Sequence, residues 1–307
     1  MSAWLVRRIG AAVLSAWLVL TLAFFALRWL PGDALDATMA RAGWSAEAIA
    51  ARRAELGLDA PPARQYVAYL GGVLRGDWGR SLISGQAVTE KIAQNARPTV
   101  TLAVAALWVA LALGVTWGVL AGATPWRFTR YGAEALAALA LATPVYWTAT
   151  LAIYLFAVLL GWLPGTGGDG VRALILPALV LGFHAAGGVA QVTARSLREA
   201  WAEDFVRTAR AKGLPAWDVL DHVLRVGLLP VIAVAALQLS FLLGGTVITE
   251  TIFVRQGLGR VFLDAITDRD YPVVQGLVVL AALSVNVVHT LADVLYALVD
   301  PRLRREA

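Results

Sequence analysis

The stretch PTVTLAVAALWVALALGVTWGVLAGA, residues 98–123, runs without a single charged side chain. An α-helix rises about 1.5 Å per residue, so roughly 20 apolar residues cross the hydrocarbon core of a bilayer. This stretch is long enough to do so as one helix. Five further runs have similar length and composition: Ile9–Leu30, Ala135–Trp162, Ala173–Ala194, Val226–Thr249 and Tyr271–Ala292. We therefore predict an all-α membrane protein with six transmembrane helices.

The overall composition supports the membrane class. The chain has 307 residues, of which 59% are hydrophobic and 15% charged, and its mean hydropathy is +0.68. Soluble domains have roughly 45–50% apolar and about 25% charged residues. The net charge of +5 does not indicate a nucleic-acid partner, because the basic residues collect between the apolar runs, where lipid headgroups lie. The absence of cysteine excludes disulfides and thiolate metal sites.

The distribution of Arg and Lys between short loops predicts the orientation. Cytoplasmic loops of membrane proteins carry an excess of these residues. If the N-terminus is inside, the inner segments hold thirteen of them and the short outer loops only four: Arg172, Arg255, Arg260 and Arg269. We expect both termini to be cytoplasmic. The plasma or inner membrane of a prokaryotic cell is what the resemblance given below implies.

The long outer segment, residues 31–96, has the pattern of a helical extracytoplasmic insertion between the first two spans. Ser45 suits an N-cap, Gly57 suits the end of that helix, and Pro61–Pro62 open a second amphipathic helix. A flexible loop is the alternative. The predicted domains are residues 1–30 with the first span, 31–96 as a cap, and 97–307 as a five-helix core.

No motif for nucleotide binding or catalysis is present. A Walker A loop needs a lysine after its glycines, but the two lysines, Lys91 and Lys212, lack that context. The glycine-rich PGTGGDG at 164–170 contains no lysine and is interpreted as a turn between spans. The sequence has no G-x-S-x-G motif, and its three histidines lie in different segments. We expect no catalytic residue, bound cofactor or metal in this chain.

A few polar residues lie within the apolar runs. His184 is the deepest titratable group, and a hydrogen bond between helices is the simpler interpretation of it. A role in the translocation path is the alternative, and Gln191, Gln238 and Asn286 are open to the same two interpretations. Glu134 and Glu250 lie at span ends, where we expect water to be within reach.

The segment 195–225, called the hook below, separates the fourth and fifth runs. Apolar residues recur at helical spacing on both sides of Gly213 and Pro215, which favour a sharp turn and the start of a second helix. This pattern predicts a helix–turn–helix on the cytoplasmic side that binds a partner protein. An interfacial helix on lipid headgroups is the alternative. The near balance of six basic and five acidic residues disfavours it.

Several stretches of the chain resemble a known family. EDFVRTARAKGL, residues 203–214, and DHVLRVGLLPV, residues 221–231, resemble the EAA-type cytoplasmic loop of ABC importer permeases, most of all the dipeptide, oligopeptide and nickel group. Arg207, Thr208 and Ala209 stand where the general motif has Glu-Ala-Ala, as in the peptide-type variant. Further similar stretches are LPGD at 30–33 and residues 56–81, 97–106, 250–280 and 293–304.

The resemblance implies one permease subunit of an ATP-driven importer. Its partners would be a homologous second permease, two ABC ATPase subunits that bind ATP and magnesium, and an extracytoplasmic substrate-binding protein. The hook would be a coupling helix seated on an ATPase. The residues implied in coupling are Arg207, Thr208, Ala209, Lys212, Gly213, Leu214 and Pro215. The outer segments 31–96 and 251–270 would meet the binding protein or help seal the outer gate.

The resemblance implies peptides as cargo, with nickel chelates or another small solute as alternatives. Two other classes of protein remain to be separated by experiment. A self-sufficient secondary carrier would move solute along an ion gradient without an ATPase. A membrane scaffold would only assemble other chains.

Overall fold

The computed structural model describes residues 2–29, 45–55, 57, 59–168 and 170–299, and every regular element within these ranges is helical. Two parts of the stretches that resemble the permease family lie outside these ranges: residues 30–33, and residues 300–304 at the end of the stretch 293–304. In chain order the helices are α1 Ser2–Trp29, α2 Ala46–Glu55, α3 Pro62–Leu74, α4 Val88–Ala123, α5 Arg127–Ala142, α6 Val145–Ala152, α7 Val171–Ala202, α8 Asp204–Ala211, α9 Ala216–Gly227, α10 Leu229–Ile252, α11 Leu258–Thr267 and α12 Tyr271–Val299. A π-helical segment, Ile153–Leu159, extends α6. The predicted all-α class is confirmed.

Four helices are individually long and apolar enough to cross a membrane: Gly10–Trp29 of α1, α4, α7 and Tyr271–Ala292 of α12. Two bent pairs, α5 with α6 and α9 with α10, raise the number to six if each pair is one span. The described helices therefore agree with the predicted runs in number only if both bent pairs cross.

The predicted third span, Ala135–Trp162, is not one helix. Helices α5 and α6 meet at an angle of 104° around Thr143 and Pro144. A residue before proline is sterically biased away from helical backbone, and Thr143 is extended with ψ 136°. Proline also lacks the amide hydrogen that would continue the helix. The break therefore follows from local chemistry at Pro144.

The predicted fifth span, Val226–Thr249, does not coincide with one helix. Val226 and Gly227 are the last residues of α9, and α10 starts at Leu229 after a bend of 43°. Pro230 lies in the first turn of α10, where its missing amide hydrogen costs nothing, but it has no donor for the carbonyl of Val226. The apolar run thus contains the end of one helix and most of the next.

The described chain divides into two compact units. The first comprises residues 1–4, 99–255 and 285–307. Its core surrounds α7, which packs against α4, α5, α6, α9 and α10. Glycines on α7 permit the close approach: a Cβ on Gly182 would lie 2.7 Å from the Ala106 carbonyl oxygen of α4, and one on Gly187 would lie 2.8 Å from the Ala137 carbonyl oxygen of α5.

The second unit comprises residues 5–98 and 256–284. An aromatic cluster of Phe24, Phe25, Tyr66 and Tyr69 joins α1 to α3, and the hydroxyls of Thr21 and Tyr66 lie 2.6 Å apart. The predicted helix start at Ser45, helix end near Gly57 and second helix from Pro62 are confirmed. The Ser45 hydroxyl accepts a bond from the Ala48 amide at the start of α2, and Gly57 has φ +66°.

Candidate functional site

The turn of the hook is a Schellman motif. The Leu214 amide donates to the Ala209 carbonyl at 3.2 Å, and the Gly213 amide donates to the Arg210 carbonyl at 3.0 Å. Gly213 has φ +76°, a left-handed conformation that costs most other residues about 1–2 kcal/mol. Pro215 is the N-cap residue of α9. The predicted helix–turn–helix and the parts of Gly213 and Pro215 in it are confirmed as local structure.

Helices α8 and α9 of the hook pack onto its first part, which is the last turns of α7. Val206, Val219 and Val223 are fully buried together with Leu197 and Ala200. Near the end of α9, a Cβ on Gly227 would lie 2.6 Å from a methyl carbon of Leu197. The hook is therefore held to α7 by an apolar core of its own as well as by the chain at Glu203.

The seven residues implied in coupling divide into two groups. Ala209 is buried inside the hook and Leu214 is half-buried against the same core. The other five are exposed, namely Arg207, Thr208, Lys212, Gly213 and Pro215. A hypothetical Cβ on Gly213 meets no atom within 4 Å. The five exposed residues form a surface that is open to a partner. Ala209 and Leu214 instead pack in the apolar core of the hook.

Ion pairs within helices α8 and α9 of the hook are local and exposed. Arg207 lies 3.5 Å from Asp204 one turn earlier in α8, and Arg225 lies 2.8 Å from Asp221 in α9. Exposed pairs of this kind contribute only a few tenths of a kcal/mol. The rigidity of the hook therefore comes from its buried valines and its turn rather than from these charges.

His184 connects the two helices that meet at Pro144. Its Nδ1 lies 2.8 Å from the Ala140 carbonyl oxygen of α5, and its Nε2 lies 2.7 Å from the Thr148 hydroxyl of α6. In an unbroken helix the Ala140 carbonyl would accept from residue 144, but that residue is proline. His184 thus donates the hydrogen bond that the break removes. This geometry supports the simpler of its two interpretations, a bond between helices.

The other three polar residues differ in their surroundings. Gln191 is exposed on α7, two turns from His184 and on the same face. Gln238 of α10 is half-buried over Gly188, and its Nε2 would lie 2.8 Å from a Cβ there. Asn286 is half-buried on α12. The structure thus places Gln238 against the face of α7 that carries His184 and Gln191.

The burial of Glu250 contradicts the expectation that water reaches its side chain. The sequence placed it at a span end with water in reach, but its side chain is 0% exposed. The Thr99 hydroxyl of α4 donates a hydrogen bond of 2.6 Å to Oε1 of Glu250. The residues lie 151 positions apart, so only the packing of α10 against α4 brings them together. Glu134 is half-exposed as expected and lies 3.1 Å from Nη1 of Arg198.

A second buried carboxylate also went unnoticed in the sequence. Asp270, which is buried, accepts hydrogen bonds from the Ser81 hydroxyl and, at 3.0 Å, from the Leu82 amide. Around it, Val88 and Ile92 at the start of α4 pack with residues of α11 and α12. Residues 81–92 therefore contact residues 265–277, which joins parts of the two segments predicted to lie outside. A serine in a turn and an aspartate before a helix carry no sequence signal for such a pair.

Within the described ranges, His, Asp and Glu residues form no group of three that could hold a metal ion. The glycine-rich stretch at 164–170 is irregular where it is described, and the Gly167 amide donates to the Phe253 carbonyl at 2.8 Å.

Two family models match the chain. The binding-protein-dependent transport system inner membrane component matches residues 114–305, and its N-terminal companion domain matches residues 1–103. The chain belongs to this family. The resemblance seen in the sequence is therefore confirmed, and the protein is a multi-pass inner-membrane permease of an ABC importer. Permeases of this class work with an ATPase and a substrate-binding protein.

Curated relatives match this permease over nearly its whole length. It is 36% identical over 302 residues to the glutathione transport system permease protein GsiC of Salmonella choleraesuis (strain SC-B67), covering 98% of each chain. The protein of the same name from Escherichia coli (strain K12) is 34% identical with the same coverage.

Solved structures resemble the permease in fold. The MetNI methionine ABC transporter in an inward-facing conformation has a TM-score of 0.58 at 18% identity, covering 68% of this chain and 96% of that one. An amino acid ABC transporter with histidines has a TM-score of 0.50 at 14% identity, covering 70% and 94%. These two similarities support the helical permease fold.

Proposed function

We propose that this permease imports peptides. The observation that carries the proposal is the match to glutathione permeases over 98% of both chains. Glutathione is a tripeptide, so the cargo class would be short peptides. The translocation path would form between this chain and a homologous second permease. ATP would be hydrolysed with magnesium on two separate ATPase subunits, and an extracytoplasmic binding protein would deliver the solute.

In this proposal the hook lies in the cytoplasm and transmits ATPase movements. The excess of Arg and Lys in the inner segments supports a cytoplasmic hook and cytoplasmic termini. The five exposed residues around Gly213 provide the surface for an ATPase. The buried valines and the Schellman turn keep that surface rigid. A displacement of the hook would therefore reach α7, which it contacts through Leu197 and Ala200.

The second unit would serve the extracytoplasmic side. Ser81 and Leu82 are bonded to Asp270, so the two outer segments would move together. We expect the binding protein to crosslink to exposed residues near this junction, such as Ser84 and Asp268. A survey of both segments without any crosslink would exclude a docking role.

Among the four polar residues predicted for the path, Gln191 is the strongest candidate for a wall position because it is exposed on α7. His184 already has partners for both ring nitrogens. We assign it to the support of the path rather than to solute contact.

Reconstitution tests the proposed function. The permease, its second permease and its ATPases are placed in liposomes with the binding protein, and uptake of glutathione and other tripeptides is measured. We expect uptake only with ATP and the binding protein, and no transport by this chain alone. Transport along an ion gradient by the isolated chain would identify a secondary carrier. Uptake of nickel chelates without peptides would reassign the cargo.

The coupling role of the turn is tested by Gly213→Trp. The new ring has open space around it but blocks the exposed surface, so we expect loss of ATP-driven uptake with normal membrane insertion. Gly161→Trp is the matched control, because Gly161 also has φ above +60° and open space, in the 160–170 loop. Wild-type uptake by the Gly213→Trp variant would show that the turn does not couple ATP hydrolysis to transport.

A further inference from the structure

The structure contains a cavity beside the turn of the hook. It has a volume of 660 Å³ and lies within the first unit. Its walls come from the end of α4 and the loop that follows it, the last turns of α7, and the facing sides of α8 and α9. The residues that matter for its chemistry are Thr124, Arg198, Trp201, Arg210, Trp217 and Leu220.

The cavity is positively charged. Arg198 and Arg210 line it, and no acidic residue does. Arg198 is partly neutralised by Glu134 at 3.1 Å. Arg210 forms no ion pair with any described residue, and its guanidinium carbon lies 5.4 Å from the centre of the Trp201 ring. An arginine held by an aromatic ring keeps its N–H donors available for an anion, and phosphate matches that donor geometry.

Trp201 contributes the face of its ring rather than its N–H. Its indole Nε1 is buried away from the cavity surface and has no hydrogen-bond partner among the described residues. The guanidinium groups of Arg198 and Arg210 are therefore the donors that an anion in this cavity would meet.

The surroundings of the cavity indicate where the anion comes from. Its wall includes Thr124 and Pro125, directly after the last residue of the apolar helix α4, where lipid headgroups lie. Trp126 and Phe128 follow, and Phe128 is 93% exposed. Trp217 on the opposite wall is 73% exposed, and Leu220 lies beside it. Tryptophan is enriched at this depth of a membrane, and these apolar surfaces suit acyl chains.

We propose that this cavity binds the phosphate headgroup of an anionic phospholipid, with the acyl chains along Trp217, Leu220 and Phe128. The lipid bridges the loop after α4 to the hook. The cytoplasmic leaflet supplies anionic lipids, and each basic side chain near such a surface contributes to their binding. Inorganic phosphate shares the headgroup chemistry but leaves the apolar wall unused.

Native mass spectrometry of the full-length permease tests this inference. The protein in detergent is titrated with phosphatidylglycerol or phosphatidylcholine at equal concentrations. We expect one retained phosphatidylglycerol and weaker retention of phosphatidylcholine. Arg210→Gln should weaken phosphatidylglycerol binding about fivefold.

Arg207→Gln is the matched control. It removes the same charge from the same helix, but Arg207 is 84% exposed and does not line the cavity. We expect its lipid binding to equal that of the unmodified protein. Equal loss in both arginine variants, or equal retention of the two lipids, would overturn the proposal. Displacement of phosphatidylglycerol by millimolar inorganic phosphate would assign the site to a free anion instead. None of these measurements depends on the cargo or on transport.

Discussion

At the scale of single residues, the buried polar groups should contribute more to stability than the exposed charges. Glu250 and Thr99 are both buried, and a hydrogen bond to a charged group contributes about 1.5–3 kcal/mol. The ion pairs of the hook are exposed and contribute little. Substitutions should therefore affect stability according to burial rather than charge.

Thr99→Val tests the buried pair. The substitution keeps the size and removes the donor to Glu250, so we expect thermal unfolding in detergent to occur several degrees lower. Thr116→Val on the same helix is the control, since its exposed hydroxyl bonds only to the Ala112 carbonyl of its own helix. An unchanged Tm for Thr99→Val would show that the pair does not stabilise the fold.

His184→Ala removes the group that donates a hydrogen bond to the Ala140 carbonyl at the Pro144 break. A buried acceptor left without its partner costs about 1–3 kcal/mol, so we expect a lower Tm than for the control His222→Ala. His222 is exposed, and its Nδ1 contacts only the Asp218 carbonyl of its own helix. Equal effects of the two substitutions would contradict a supporting role for His184.

At the scale of helices, local signals in the sequence and tertiary packing account for different features. Gly213 and Pro215 predict the turn of the hook because they act through their own backbone geometry. Pro144 predicts a break, but the 104° angle depends on α7, which supplies His184. The burial of Glu250 and Asp270 requires partners more than 150 residues away, and no local pattern contains that information.

The packing of α4 on α7 depends on glycine. A Cβ on Gly118 would collide with Thr193 and lie 2.9 Å from the Ala190 carbonyl oxygen. We expect Gly118→Ala to destabilise the protein by about 1–3 kcal/mol, because the two helices must move apart. Size-exclusion chromatography after a heating series measures the effect.

Gly132→Ala is the matched control for this packing. Gly132 lies inside α5, and a Cβ there meets no atom within 4 Å. Alanine favours a helix over glycine by up to about 1 kcal/mol, so this variant should be as stable as the unmodified protein or more so. A Gly118→Ala variant that behaves like it would show that α4 and α7 tolerate a wider spacing.

At the scale of the whole molecule, orientation decides whether the hook can meet an ATPase. The chain contains no cysteine, so a single introduced thiol reports one position. With a membrane-impermeant maleimide on intact cells, we expect Arg75→Cys to react and Lys212→Cys to react only after the membrane is opened. Both residues are exposed in this chain. In cells that lack the ATPases, which would cover Lys212, access depends on the side of the membrane. Labelling of Lys212→Cys from outside would exclude the proposed coupling.

The glycines of α7 have a mechanical consequence. Gly182 and Gly187 let Ala106 of α4 and Ala137 of α5 approach the backbone of α7. The side chains of Val109, Leu141 and Gln238 lie over Gly182, Gly187 and Gly188, so α7 is interlocked with α4, α5 and α10. A 32-residue helix extends about 48 Å, and the hook is attached to one end of it. A displacement of the hook would therefore be carried along this helix to its contacts with α4, α5 and α10.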